Sequence, residues 1–469
     1  MISSSPQHRP GGILEMLAIA APMVISSACD TAMNFTDRLF ISTMGMEKMN
    51  AVMSGGLTVF VLMSFTIGLT GYSTALIAQY FGSERRDRCS IVVTQGLIIA
   101  LLSYPIILSL RPIIHWSFEA MALPALQLEA QIVYFDILCY GSIFGLVRHV
   151  ISGFFSGIGR TRIVMVAALV AVVVNIISSY AMIFGHWGCP PLGIRGAAYG
   201  SILGGGASCI VLLGAYLAPK TRVQYGVFKS LSYDAKAMKL LFRHGLPGGA
   251  EMLLNLIAFD LLILTFQGHD VVTGSAITIV FNWDMVSFVP LLGVHIGVTS
   301  LVGRYMGAGD PDTAHLATCS GLKVGYTYAG IMTLIFAFFP ELMVGVFVNP
   351  DSPNSLEISA LSVNMLRLAS LYLLADATSL TFGGALRGAG DTLWAMLISV
   401  AMHWTLVPLL LVLLYILHWP PVWVWGGLVV TIFIFSAFMY LRYRSGRWRK
   451  IRVVDTAPSS LLIPAGTDL

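Results

Sequence analysis

Seven carboxylates fall inside stretches that are otherwise apolar: Asp30, Asp37, Asp136, Glu251, Asp260, Asp284 and Asp376. An ionisable group in the hydrocarbon core of a bilayer costs several kcal/mol, so each is a candidate for work on an ion or a charged ligand. Ser26, Asp30, Asn34 and Asp37 follow one another at intervals of four, four and three, which sets them on one face of a helix. Glu251 and Asn255 form a second pair four residues apart, and Tyr372, Asp376 and Ser379 form a third stripe at intervals of four and three. If Glu251, Asp376 and Tyr372 converge, the two carboxylates resist being charged together in a low-dielectric site. Such a pair can take up a proton, or hold a sodium ion with both groups ionised. Asp284, next to Asn282 and Trp283, suits a cavity that accepts a cationic aromatic compound. The same stripes are equally what interhelical hydrogen bonds would need. Arg38 and Arg367 are the internal counter-charges.

Composition supplies the setting. Hydrophobic residues make up 57% of the 469 and charged residues 11%, with a mean hydropathy of +0.81. A soluble domain carries roughly 25% charged residues. Apolar runs long enough to cross a bilayer as helices recur near 13–39, 52–78, 91–114, 131–156, 162–185 and 194–217, then near 240–267, 275–303, 317–347, 358–386, 392–417 and 421–443. The expected fold class is an all-α membrane protein of twelve transmembrane helices.

Landmarks recur between the two sets. Pro22, Gly82 and Asp87 reappear as Pro247, Gly307 and Asp312, each shifted by 225 (247 − 22, 307 − 82, 312 − 87). Gly157-Ile158-Gly159-Arg160-Thr161 reappears as Gly388-Ala389-Gly390-Asp391-Thr392, and Pro190-Pro191 before Gly196 as Pro420-Pro421 before Gly426. Six crossings per repeat bring both repeats in from the same side, as parallel repeats in transporters do. Two pseudo-symmetric six-helix bundles follow: a lobe over 1–225 and a lobe over 226–469, joined by the polar connector at 219–239.

Basic residues fix the orientation. Arg85, Arg86, Arg88, Arg160, Arg162, the stretch from Lys220 to Arg243 and the run from Arg442 to Arg452 share one side, while the other holds little beyond Lys48, Arg111 and Arg195. Both termini are expected in the cytoplasm and the protein in the plasma (inner) membrane. The net charge of +4 reflects this bias and implies no nucleic-acid partner. The opening MISSSPQHRPGG is too weakly basic for a signal peptide, and the last dozen residues read as a disordered tail. Six scattered cysteines without C-x-x-C spacing read as buried free thiols. H-E-x-x-H, Walker and G-x-S-x-G motifs are absent, so neither an enzyme nor a cofactor is expected. His149, His244 and His295 read as packing or interfacial residues.

The chain resembles the multidrug and toxic compound extrusion (MATE) family, closest to its NorM-type branch. The likeness rests on Pro22 followed fifteen residues later by Asp37, Ala78-Gln79-Tyr80-Phe81-Gly82, Gly157 to Thr161, Gly193-Ile194-Arg195-Gly196-Ala197-Ala198, Pro247 to Glu251, and Leu386 to Thr392. The resemblance implies a monomeric, two-lobed antiporter that exports organic cations or other amphipathic compounds against sodium ions or protons. By resemblance, Asp37, Asn175, Glu251, Asp376 and Tyr372 couple to the cation, the first four as a possible sodium site. Asp30, Asn34, Ser179, Ser201, Asn255, Asn282 and Asp284 are then assigned to the substrate. Ser179 departs from the family, standing where many members carry an aspartate. The alternative within transport is a lipid-linked precursor flippase of a related fold, for which a strongly cationic cavity is expected.

Overall fold

The computed structural model describes residues 9–121, 123–348 and 354–454; the first eight residues and the expected tail lie outside them. Fifteen α-helices follow in order: α1 Ile13–Ser42, α2 Met46–Gly82, α3 Arg86–Ser109, α4 Arg111–Ala120, α5 Ala125–Gly157, α6 Thr161–Phe184, α7 Ile194–Leu217, α8 Pro219–Tyr225, α9 Ala235–Gln267, α10 Val271–Gly307, α11 Pro311–Phe338, α12 Pro340–Gly345, α13 Ser355–Ala389, α14 Thr392–Leu411 and α15 Pro421–Arg444. Twelve helices are long and apolar enough to cross a membrane, all but the short α4, α8 and α12. Each answers an expected span. Two expected spans end early, the third at Ser109 and the ninth at Phe338. Pro112 and Pro340 sit in the first turn of the next helix in each case. Proline lacks the N–H that a continuing helix needs there. The two breaks occupy the same place in the two repeats.

The crossings form two six-helix bundles, α1–α3 with α5–α7 and α9–α11 with α13–α15. Their outer halves have separate cores: Ile41, Val52, Tyr134 and Ile183 gather in one, Phe266, Phe281, Tyr372 and Trp425 in the other. On the side of the basic loops the bundles share a core. Met16, Ile19 and Ala20 of α1 pack into Val294, Val298, Leu301 and Val302 of α10. Val454, from the far end of the chain, packs into a cluster made mostly of first-bundle residues.

Backbone runs against backbone along this seam. A Cβ on Gly82 would come within 1.8 Å of the Arg304 carbonyl, and one on Gly307 within 2.0 Å of the Gln79 carbonyl. These repeat-related glycines, each at the end of its helix, are therefore sterically required where α2 and α10 cross. Polar contacts reinforce the closure. Gln79 Nε2 donates to the Gly388 carbonyl at 2.8 Å, and Ser300 Oγ to the Ser156 carbonyl at 2.7 Å. The Tyr305 hydroxyl donates to Glu15 at 2.7 Å, and Arg304 reaches the same carboxylate at 3.3 Å. All of these lie near the basic loops. On the opposite halves of α1 and α2 the apolar side chains Phe35, Leu39, Met53 and Phe60 are exposed. The close contacts between the lobes thus lie on the basic side, and on the other each lobe keeps its own core.

The connector ends in Asp234, whose carboxylate caps α9 by accepting from the Ala237 amide at 2.9 Å and pairs with Arg88 at 2.7 Å. The Ala237 amide foremost, then Arg88, hold this carboxyl below the usual carboxylate range against the opposing effect of burial. A carboxyl depressed in the folded state stabilises above its unfolded value, near 4, and loses that contribution as pH falls through the folded one. Asp234→Ala is expected to destabilise by about 1 kcal/mol at pH 7 and by less in acid; an equal loss in melting temperature at both would refute the assignment. At the seam, Gly307→Val is expected to cost about 1–3 kcal/mol through overpacking, read as a lowered melting temperature in detergent. Wild-type melting would show that α2 and α10 can part without penalty.

Candidate functional site

Three groups of charged side chains lie within the spans. The first surrounds Asp37. α6 presents Asn175 and Ser179 one turn apart, and α7 presents Ser201 beside them. α6 and α7 can pack this closely because Gly200 faces Ser179 and Gly204 faces Asn175. Asn175 Nδ2 donates to the two Asp37 oxygens at 3.2 and 3.3 Å. Ser179 donates at 3.0 Å and Ser201 at 2.5 Å.

Asp37 is 3% exposed, and the hydrogen bonds it accepts come from neutral donors. A buried carboxylate without a counter-ion carries a large desolvation penalty, which a bound cation relieves. The carboxylate and the two serine hydroxyls offer oxygen ligands suited to a hard cation, and turning the Asn175 amide over would add its oxygen in place of the nitrogen. Asn175 Oδ1 is buried without a partner. A sodium ion or a proton fits this donor set. Among the described residues no group of three or more His, Cys, Asp or Glu side chains could hold a metal ion.

The second group differs from the expected one. The Tyr372 hydroxyl donates to Asp284 Oδ1 at 2.8 Å, and Asp376 lies one turn further along α13. Asp284, rather than Glu251, is thus the carboxylate grouped with Tyr372, with Trp425 against the Tyr372 ring. Glu251 is not part of this group. Its partner is Arg387, at 2.7 Å, which lies eleven residues beyond Asp376 and hence about 16 Å along the helix axis. Packing explains the difference. α9 packs chiefly on α2 and α14, whereas α13 packs on α10, α11 and α15.

The third group lines a cavity of about 610 Å³ between the lobes, above the seam. Asp30 pairs there with Arg148 at 2.9 Å on the first lobe, facing Glu251 and Arg387 on the second. Among its walls are His149, His244 and His295, with Met23, Met63, Met252, Tyr72 and Phe60. The paired charges balance, two acidic against two basic, so the strongly cationic cavity expected of a flippase is not what these residues make.

The remaining candidates disperse. Asn255 donates to Ser399 at 2.8 Å. Asn282 turns back on the Thr278 carbonyl at 2.7 Å and lines a separate, more open pocket with Gln267 and Asp270. Asn34 and Asp260 are exposed, and Asp136 pairs with Arg111 at 2.6 Å and His115 at 2.8 Å. The expected counter-charges are also corrected. Arg38 is exposed, and Arg367 forms an exposed pair with Glu341 at 2.6 Å. Arg148 and Arg387 take that role instead. Their signal was present in the sequence: each is a lone arginine inside an apolar run, as unusual there as any of the carboxylates.

A family model described as MatE matches residues 22–181 and again 248–412, two matches whose starts differ by 226 (248 − 22), close to the internal repeat. A Thermotoga maritima protein named "Probable multidrug resistance protein NorM" is 26% identical over 446 residues, covering 94% of each chain. The "Multidrug resistance protein PmpM" of Pseudomonas aeruginosa is 26% identical over 457 residues, covering 93% of this chain and 92% of its own. A solved structure titled as the outward-facing conformation of a multidrug resistance MATE family transporter superposes with a TM-score of 0.83 at 20% identity, over 93% of this chain and 96% of that one.

Asp37→Asn keeps an oxygen in place and removes the charge, so resistance to toxic organic cations in a drug-sensitive host is expected to fall to the empty-vector level at unchanged membrane abundance. Ser201→Ala keeps the charge and is expected to leave measurable resistance. Full resistance with Asp37→Asn would remove this cluster from the working site.

Proposed function

The chain belongs to the MatE family of MATE transporters, and we propose that it is a secondary active multidrug exporter of the NorM type, exchanging organic cations or other amphipathic compounds for sodium ions or protons. The observation that carries this reading is the cavity between lobes whose close contacts lie on one side, with carboxylates held in the spans around it. The names of the relatives support multidrug export. The charge-bearing cavity supports amphipathic ions as substrates.

In this reading the lobes over 1–225 and 226–469 rock as units about the glycine seam. The basic loops and both termini face the cytoplasm of a cell whose inner membrane holds the protein as a monomer. The drawn conformation, with its close contacts on the basic side, is then the outward-facing one. A cation from outside binds Asp37 with Asn175, Ser179 and Ser201, or Asp284 and Asp376 with Tyr372. Neutralising these carboxylates lowers the penalty for closing the lobes over them. Substrate favours the opposite facing, and coupling follows from that difference in affinity between states.

Purified protein in liposomes loaded with a fluorescent organic cation tests the reading, with an inward sodium gradient and an inward proton gradient imposed in turn. One of the two gradients is expected to drive dye movement, and Asp37→Asn and Asp376→Asn are each expected to abolish it. Dye movement at the same rate with neither gradient would sink the antiport mechanism.

A further inference from the structure

Glu251 holds a position on α9 from which it cannot withdraw. It is 6% exposed, and the helix beneath it is locked to α2, where a Cβ on Gly249 would come within 2.7 Å of the Phe65 carbonyl. One carboxylate oxygen is met by Arg387 at 2.7 Å. The other, Oε2, is buried and has no hydrogen-bond partner. Arg387 differs in kind: its side chain is 34% exposed, it lines the interlobe cavity together with Glu251, and it hangs on a long flexible stem. The pair thus joins a fixed anion with one vacant acceptor to a cation that is free to swing.

From this asymmetry we propose that Arg387 is a specificity-determining residue, a tethered cation that occupies Glu251 and that an organic cation must displace to bind in the interlobe cavity. The proposal rests on the exporter reading and deepens it. A buried carboxylate stripped of its only cationic partner is heavily penalised, so the guanidinium leaves only when another positive charge takes its place. Exchange of one cation for another keeps Glu251 paired, while the tethered guanidinium, already partly exposed, turns to solvent. A neutral ligand offers no such exchange and leaves the pair intact. Selectivity for cations then comes from competition with an internal rival rather than from an open negative patch. The Asp30–Arg148 pair on the facing wall keeps the rest of the cavity neutral. The displaced arginine also lies next to Gly388, whose carbonyl is held by Gln79 of the other lobe, so its movement takes place at the seam itself.

The test is equilibrium binding to the full-length protein in detergent, with tetraphenylphosphonium as the cation and triphenylphosphine oxide as its neutral counterpart. Arg387→Gln is expected to tighten tetraphenylphosphonium by about tenfold, since one charge partner of Glu251 no longer competes, and to leave the oxide unchanged. Arg387→Lys should fall between wild type and Arg387→Gln. Glu251→Gln, alone or with Arg387→Gln, should lose the charge preference. Melting curves report folding, and if Arg387→Gln does not fold, the shift with Arg387→Lys decides. Weaker or unchanged tetraphenylphosphonium binding, or equal tightening of both probes, would overturn the proposal while leaving export intact. Wild-type protein that neither binds nor transports the cation would overturn the exporter reading and this proposal together.

Discussion

A charge in the bilayer interior needs a partner, and the carboxylates of this chain solve that requirement in different ways. Asp30, Glu251 and Asp391 are met by arginines: Arg148 at 2.9 Å, Arg387 at 2.7 Å and Arg442 at 2.7 Å. Asp37 is met only by neutral donors and Asp284 by the Tyr372 hydroxyl. Each pair of the first kind forms within a single lobe. The second lacks a counter-ion, and in the proposed mechanism an arriving cation supplies one and so biases one arrangement against another. The division of labour follows from which carboxylates have an arginine within reach.

The glycine seam gives that bias something to act on. Two lobes with separate cores on one side and a shared core on the other can part along the shared side only by undoing close contacts such as Gly82 on Arg304 and Gly307 on Gln79. Packed interfaces of this kind favour discrete arrangements over gradual deformation. Because Gly82 and Gly307 are repeat-related, the closure is made twice by the same local device, once from each half.

The crossings and the repeat were legible in the sequence because hydropathy and landmark spacing are local or periodic signals. Helix ends were less so: α3 and α11 stop at proline-led breaks inside stretches that remain apolar. Side-chain pairing was legible only where a resemblance supplied the partners, as for Asp37 with Asn175 and Ser201. Spacing placed Tyr372 and Asp376 on one face correctly, but it could not say which helix that face meets. That choice belongs to tertiary packing, which put α10 rather than α9 opposite α13, and so grouped Tyr372 with Asp284 instead of Glu251. Arg148 and Arg387 were overlooked in favour of Arg38 and Arg367 because spacing along the chain does not show which arginine faces a buried carboxylate.

The packing of α1 against α10 and α11 has a consequence for biogenesis. α1 also packs on α6 of its own half, but the core partners of Met16, Ile19 and Ala20 lie more than 200 residues downstream, so these side chains must wait in lipid or against a temporary neighbour until the second half has been synthesised. Val454 settles against the first bundle later still. Assembly of this face is therefore one of the last events after translation, and the early half of the chain is inserted well before it is finished.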